Sequence, residues 1–158
     1  MKLTAIVASL LGLGALSSQA QTVVNLTGST AFRSSVQGAI LAILDSETYA
    51  YSGASYSGAN QALIQGNLGS GGPAVIIRTS WSGSATGIQN VAEGNNVNFL
   101  AVGTTTSPSG TSVSAGSDPA VPHIAMSDVY QNSTAFTSPA LENNNVAVVP
   151  FVFVTNQD

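Results

Sequence analysis

The chain has 158 residues, of which 44% are apolar and only 6% charged, with no cysteine and a formal net charge of −4. That apolar content excludes a disordered chain, and the length suffices for one domain with a sizeable core. A charged fraction of about 25% is usual. Here Gly, Ser, Thr and Asn take the places of Lys and Glu, as suits an exported protein, and without cysteine neither disulfide staples nor a lipid-modified cysteine is expected.

Residues 1–20 read as a cleavable signal peptide: Lys2 is the positive start, residues 3–16 are free of charge, and Ser18 and Ala20 flank Gln19 in a small-x-small cleavage site. The mature chain then begins at Gln21. It keeps Arg33 and Arg78 against seven acidic residues, a formal −5. Nucleic acid is excluded as a partner because neutralising phosphates needs many clustered cations. No segment approaches the roughly 20 apolar residues of a transmembrane helix, so the expectation is a soluble, monomeric protein, periplasmic or otherwise secreted.

Residues 22–26 are β-branched and apolar and predict a strand, followed by the turn and cap chemistry of Thr27, Gly28, Ser29 and Thr30. Phe32, Val36, Ala39, Ile40, Ile43 and Leu44 then recur at three- and four-residue spacing, which predicts a helix ending near Asp45. Residues 48–73 scatter Tyr49, Tyr51 and Tyr56 among Ser and Gly and read as a surface insert, with a helical turn at 61–65 and a loop at 69–73.

Residues 73–79 form a continuous apolar run, the pattern of a strand buried on both faces. A second polar turn follows, with Ser82, Gly83, Ser84, Thr86 and Gly87, and Ile88, Val91 and Ala92 open a helix that Gly94, Asn95 and Asn96 end. Residues 103–120 are a Thr/Ser/Gly/Pro-rich insert. Residues 121–126 predict a third strand ending in Ser127 and Asp128, residues 134–141 a loose helix interrupted by Pro139, and residues 145–154 the strongest β run of all.

Strands alternating with helices imply an α/β fold with a mostly parallel sheet and flanking helices. Ligands of such sheets bind off the carboxyl ends of the strands, where all three polar turns lie. A strand that ends in a Gly/Ser turn and opens a helix offers unpaired N–H groups and hydroxyls to an oxyanion. Thr30 and Ala31 would supply amides from the first turn, and the hydroxyls around Ser84 exceed what one helix cap needs. On residue type alone the first turn is better explained as an ordinary helix cap. Asp128, acceptor-only when ionised, favours an anion that still carries an O–H, as hydrogen phosphate does and sulfate does not. Arg33 could add charge, His123 reads as structural, and Trp81 as a packing residue. No nucleophile–base pair, metal-ligand spacing or Walker pattern is present, so neither enzyme activity nor a metal or cofactor is expected.

In this order and spacing the segments 26–32, 82–88 and 124–128, with the strand at 146–156, resemble the periplasmic phosphate-binding proteins of ABC transporters, which have the type II solute-binding fold. The resemblance implies a partial first lobe over residues 21–158, truncated at the crossover to a second lobe, with inserts near 48–73 and 103–120. It implies a phosphate-binding set of Ser29, Thr30, Ala31, Ser82, Ser84 and Asp128, with Arg33 as a further candidate, and as partners inorganic phosphate and a membrane ABC permease. Family members close a second lobe over the anion with an Arg and a Ser-Gly-Thr-type turn. Neither follows the last strand, so weak or undetectable binding is expected of these residues alone. The alternative is a secreted low-charge surface or adhesion protein with no small-molecule ligand, whose strands would alternate polar and apolar residues.

Overall fold

A computed structural model describes residues 21–146. The signal peptide predicted at 1–20 and most of the β run predicted at 145–154 lie outside the described residues. Within them the chain runs β1 (Thr22–Gly28), α1 (Arg33–Ile43), β2 (Leu44–Ser52), β3 (Gln61–Leu68), β4 (Ala74–Trp81), α2 (Ser84–Glu93), β5 (Val97–Phe99), β6 (Thr111–Val113), β7 (Asp118–Ala120) and β8 (Ile124–Met126). Among the described residues the fold is α/β, with a six-stranded sheet in the order β6-β2-β3-β4-β1-β8 and a two-stranded β5-β7 ribbon. The pairs β1–β4, β1–β8 and β2–β6 are parallel; β2–β3 and β3–β4 are antiparallel.

The continuous apolar run around residue 75 is a central strand, as its pattern predicts. Val75, Ile76 and Ile77 are all buried, alternately on the two faces of the sheet. One face packs Ile40 and Leu44 against Ala62, Ile64, Val75 and Ile77, and the other packs Ala50, Leu63 and Ile76 against Leu100. Leu63 and Ile64 are fully excluded from solvent, and each such side chain contributes about 1.5–3 kcal/mol of apolar transfer.

The insert expected near 48–73 is a correction. Its residues form most of β2 and all of β3, and β3 lies between β2 and β4 inside the sheet, so this stretch is neither a surface excursion nor, at 61–65, a helical turn. Gln61 is buried and its side chain bridges Asn98 O, Gly116 O and Gly116 N, so a polar residue opens a buried strand because its amide is fully used. Helix α1 ends at Ile43 rather than near Asp45, because Leu44 turns into the core as the first residue of β2. Within 103–120 the short strands β6 and β7 form, and β6 closes one sheet edge against β2. Residues 134–141 do not form a helix; a single 3-10 turn at Gln131–Ser133 precedes them. The third strand is confined to Ile124–Met126.

Arg78 sits under this frame with its guanidinium over the Phe99 ring, 5.1 Å from the centroid. Its Nε donates to Asn25 Oδ1 at 2.8 Å and its Nη1 to Leu100 O and Asp118 Oδ2, which ties β1 and β4 to the β5–β7 ribbon. This arginine is therefore structural.

Candidate functional site

The carboxyl ends of β1, β4 and β8 are adjacent, since Gly28 is in register with both Trp81 and Met126. Each strand leads directly into one of the three polar turns. Their close approach depends on two glycines. Gly28 has φ +127°, and a Cβ there would lie 2.0 Å from Met126 O. A Cβ on Gly87 would lie 2.7 Å from Gly28 Cα, so the first turn of α2 rests directly on the end of β1.

That contact carries Ser84 to Asp128. Ser84 Oγ donates to Asp128 Oδ1, and Ser29 Oγ donates to Asp128 Oδ2 at 3.1 Å. One carboxylate thus joins the β1–α1, β4–α2 and β8 segments. Ser29 is buried, its hydroxyl also accepts from the Ala31 N–H at 3.2 Å, and its own N–H donates to Met126 O at 2.7 Å. Thr27 Oγ1 donates to Ser80 O at 2.7 Å, so its single proton is spent, and the Ser82 hydroxyl 3.0 Å away is the donor in that pair.

Of the predicted set, Ser29, Ala31, Ser84 and Asp128 form one bonded cluster, and Ser82 is held beside it through Thr27. Thr30 is exposed, its carbonyl accepting from Arg33 N. Arg33 leaves the cluster, donating through Nη1 to Asn60 Oδ1 at 2.5 Å. Sequence reasoning missed Thr27 as the anchor of Ser82 and the Gly28–Gly87 contact. A Thr–Gly pair ending a strand and a Gly in the first turn of a helix were the available signals. His123 braces β8, its Nδ1 accepting from Asn25 N and its N–H donating to Asn25 O, while Trp81 is buried.

Chemically the cluster presents both polarities. The first intrahelical bond of α2 is donated by Gly87 to Gly83 O, so the amides of Ser84, Ala85 and Thr86 precede the helical ladder at the positive end of the helix dipole. Asp128 beside them keeps lone pairs free after accepting two hydroxyls. Among the described residues no group of three or more His, Cys, Asp or Glu is placed to hold a metal ion. No helix among them is long and apolar enough to cross a membrane. Comparison with protein families, with curated proteins and with solved structures finds no match.

Proposed function

We propose that this chain is a receptor lobe for hydrogen phosphate or a related tetrahedral oxyanion, in the manner of the first lobe of a type II solute-binding protein serving an ABC permease. The observation that carries this reading is the meeting of Ser29 and Ser84 on the single carboxylate of Asp128, with the amides of Ser84, Ala85 and Thr86 next to it. The amides suit the anionic oxygens and Asp128 suits the remaining P–O–H proton. A fully deprotonated anion would set acceptor against acceptor, at a cost of about 1–3 kcal/mol. No catalytic step is assigned to the site.

The burial of β3 and β4 on both faces favours this reading over an adhesion protein built from half-exposed strands. The reading also has residues 1–20 direct export to the periplasm and then leave. N-terminal sequencing of the exported protein should begin at Gln21, and retention of residues 1–20 would remove that part of it.

Calorimetric titration at neutral pH decides the ligand. Any binding of hydrogen phosphate is expected to be weak, millimolar rather than submicromolar, and that of sulfate about 10-fold or more weaker, in line with the acceptor penalty above. Sulfate bound as tightly as phosphate overturns the reading, and submicromolar phosphate binding overturns its single-lobe form.

A further inference from the structure

Three buried side-chain atoms have no hydrogen-bond partner among the described residues: Gln37 Oε1, Thr79 Oγ1 and Trp81 Nε1. Their residues are 0%, 0% and 6% exposed, so bulk solvent does not serve them. Buried polar groups are nearly always paired, with protein or with ordered water.

The three residues converge on one place. Val75 and Ile77 of β4 pack on the side of the sheet that α1 covers, and by the alternation of a strand Thr79 and Trp81 face the same side. Gln37 and Ile40, three residues apart on one face of α1, are the buried positions of that helix. Helix α1 joins the carboxyl end of β1 to the start of β2, which runs parallel to β1, so the helix runs opposite to β4. Gln37 is therefore displaced from Ile40 by about 4.5 Å toward the carboxyl end of β4. Thr79 stands about 6.6 Å beyond Ile77 in the same direction. The connection between β2 and β3 closes the space. Gln37 Nε2 donates to Ala59 O at 3.1 Å, and the next residue, Asn60, accepts through its carbonyl from Trp81 N at 2.9 Å.

Because Ala59 O takes the amide, the unpaired atom of Gln37 is an acceptor. Trp81 Nε1 only donates, and the Thr79 hydroxyl does either. We propose that one water molecule is bound between α1 and β4, donating to Gln37 Oε1, accepting from Trp81 Nε1–H and making its third bond with Thr79 Oγ1. Three bonds are the usual complement of a buried water. An ion does not suit this set. None of the three side chains is charged, a cation would meet the Trp81 N–H, and an anion would meet the Gln37 carbonyl oxygen. Water is donor and acceptor at once and satisfies both. Bound there, it ties α1 to β4 beneath the two turns that carry Ser29 and Ser84, whether or not those turns hold an anion.

A crystal structure of the full chain at a resolution that shows ordered water tests this. One density peak is expected at about 2.7–3.2 Å from each of Gln37 Oε1, Thr79 Oγ1 and Trp81 Nε1. No peak, a peak that reaches fewer than all three atoms, or a protein group bonded to any of them overturns the proposal. In solution Trp81 gives the sole indole N–H signal, since the chain has one tryptophan. Rotating-frame cross-relaxation between that proton and water is expected, and its absence also overturns the proposal. Combining Gln37→Leu with Thr79→Val removes two of the three partners and should abolish the cross-peak. Persistence of the peak in that variant overturns the proposal, because its source then lies elsewhere. The wild-type density and spectrum decide if the variant fails to fold.

Discussion

Asp128 is the residue on which the proposed chemistry and the local packing both depend. Asp128→Asn preserves shape but replaces a two-oxygen acceptor with one acceptor and one donor. The expected result is a fall in the preference for phosphate over sulfate by about 10-fold or more, the equivalent of one lost charged acceptor, read by paired calorimetric titrations. An unchanged preference would remove Asp128 from the recognition of the proton. The two glycines where the end of β1 meets the first turn of α2 make a separate claim about space. Gly87→Ala drives a Cβ into the backbone of Gly28 and is expected to cost about 1–3 kcal/mol of stability. Gly38→Ala, at an exposed position inside α1 with nothing within 4 Å of the new Cβ, should instead stabilise by about 0.5–1 kcal/mol. Urea denaturation of the two variants should move the midpoint in opposite directions. The types of Ser29, Ser84 and Asp128 were readable as turn residues after apolar runs. The departure of Arg33 toward Asn60 was not, because the direction of a long side chain is set by what stands across from it in space.

At the scale of elements, the β2–β3 hairpin is the largest difference between pattern and structure. Its tyrosines, serines and glycines resemble loop chemistry, yet Tyr49, Tyr51 and Tyr56 pack as one aromatic cluster, with Tyr49 and Tyr56 centroids 4.7 Å apart. The Tyr56 hydroxyl donates to Gln37 O at 2.9 Å and so fastens α1 to the hairpin. Burial, and secondarily Tyr49, holds the Tyr56 phenol well above its ordinary range. Above about pH 10 the unfolded chain releases this proton before the folded one does. Stability contributed by Tyr56 is therefore complete below that pH and declines as pH rises further. Tyr56→Phe should lower stability at neutral pH by about 1 kcal/mol, the lost hydrogen bond, and flatten the alkaline decline in chemical denaturation. An equally steep decline in the variant would assign it to other groups. By contrast α2 was legible from its periodicity, and its stop was legible from Gly94, which takes the left-handed conformation at φ +66°.

Across the whole molecule the ribbon and the main sheet are joined through Arg78, whose side chain is 5% exposed, and Asp118, whose side chain is 42% exposed. Because Asp118 is partly hydrated, Asp118→Asn is expected to cost only about 1–2 kcal/mol. Arg78→Ala should cost more, since Asn25 Oδ1 and Leu100 O lose their donor and Phe99 its packing partner. Urea midpoints give the order, and a greater loss from Asp118→Asn would make the carboxylate the dominant member.

The sequence by itself determined the α/β class, the strand-turn-helix units at β1–α1 and β4–α2, and the polar character of the turns, because backbone periodicity and turn chemistry are local properties of consecutive residues. Only the tertiary structure decided that β3 is an interior strand, that Ser29 and Ser84 share a carboxylate 99 and 44 residues away, and that Arg33 turns from the site while Arg78 is enclosed. Those outcomes depend on strand order and register, which place groups distant along the chain in contact and which no short window of residues encodes.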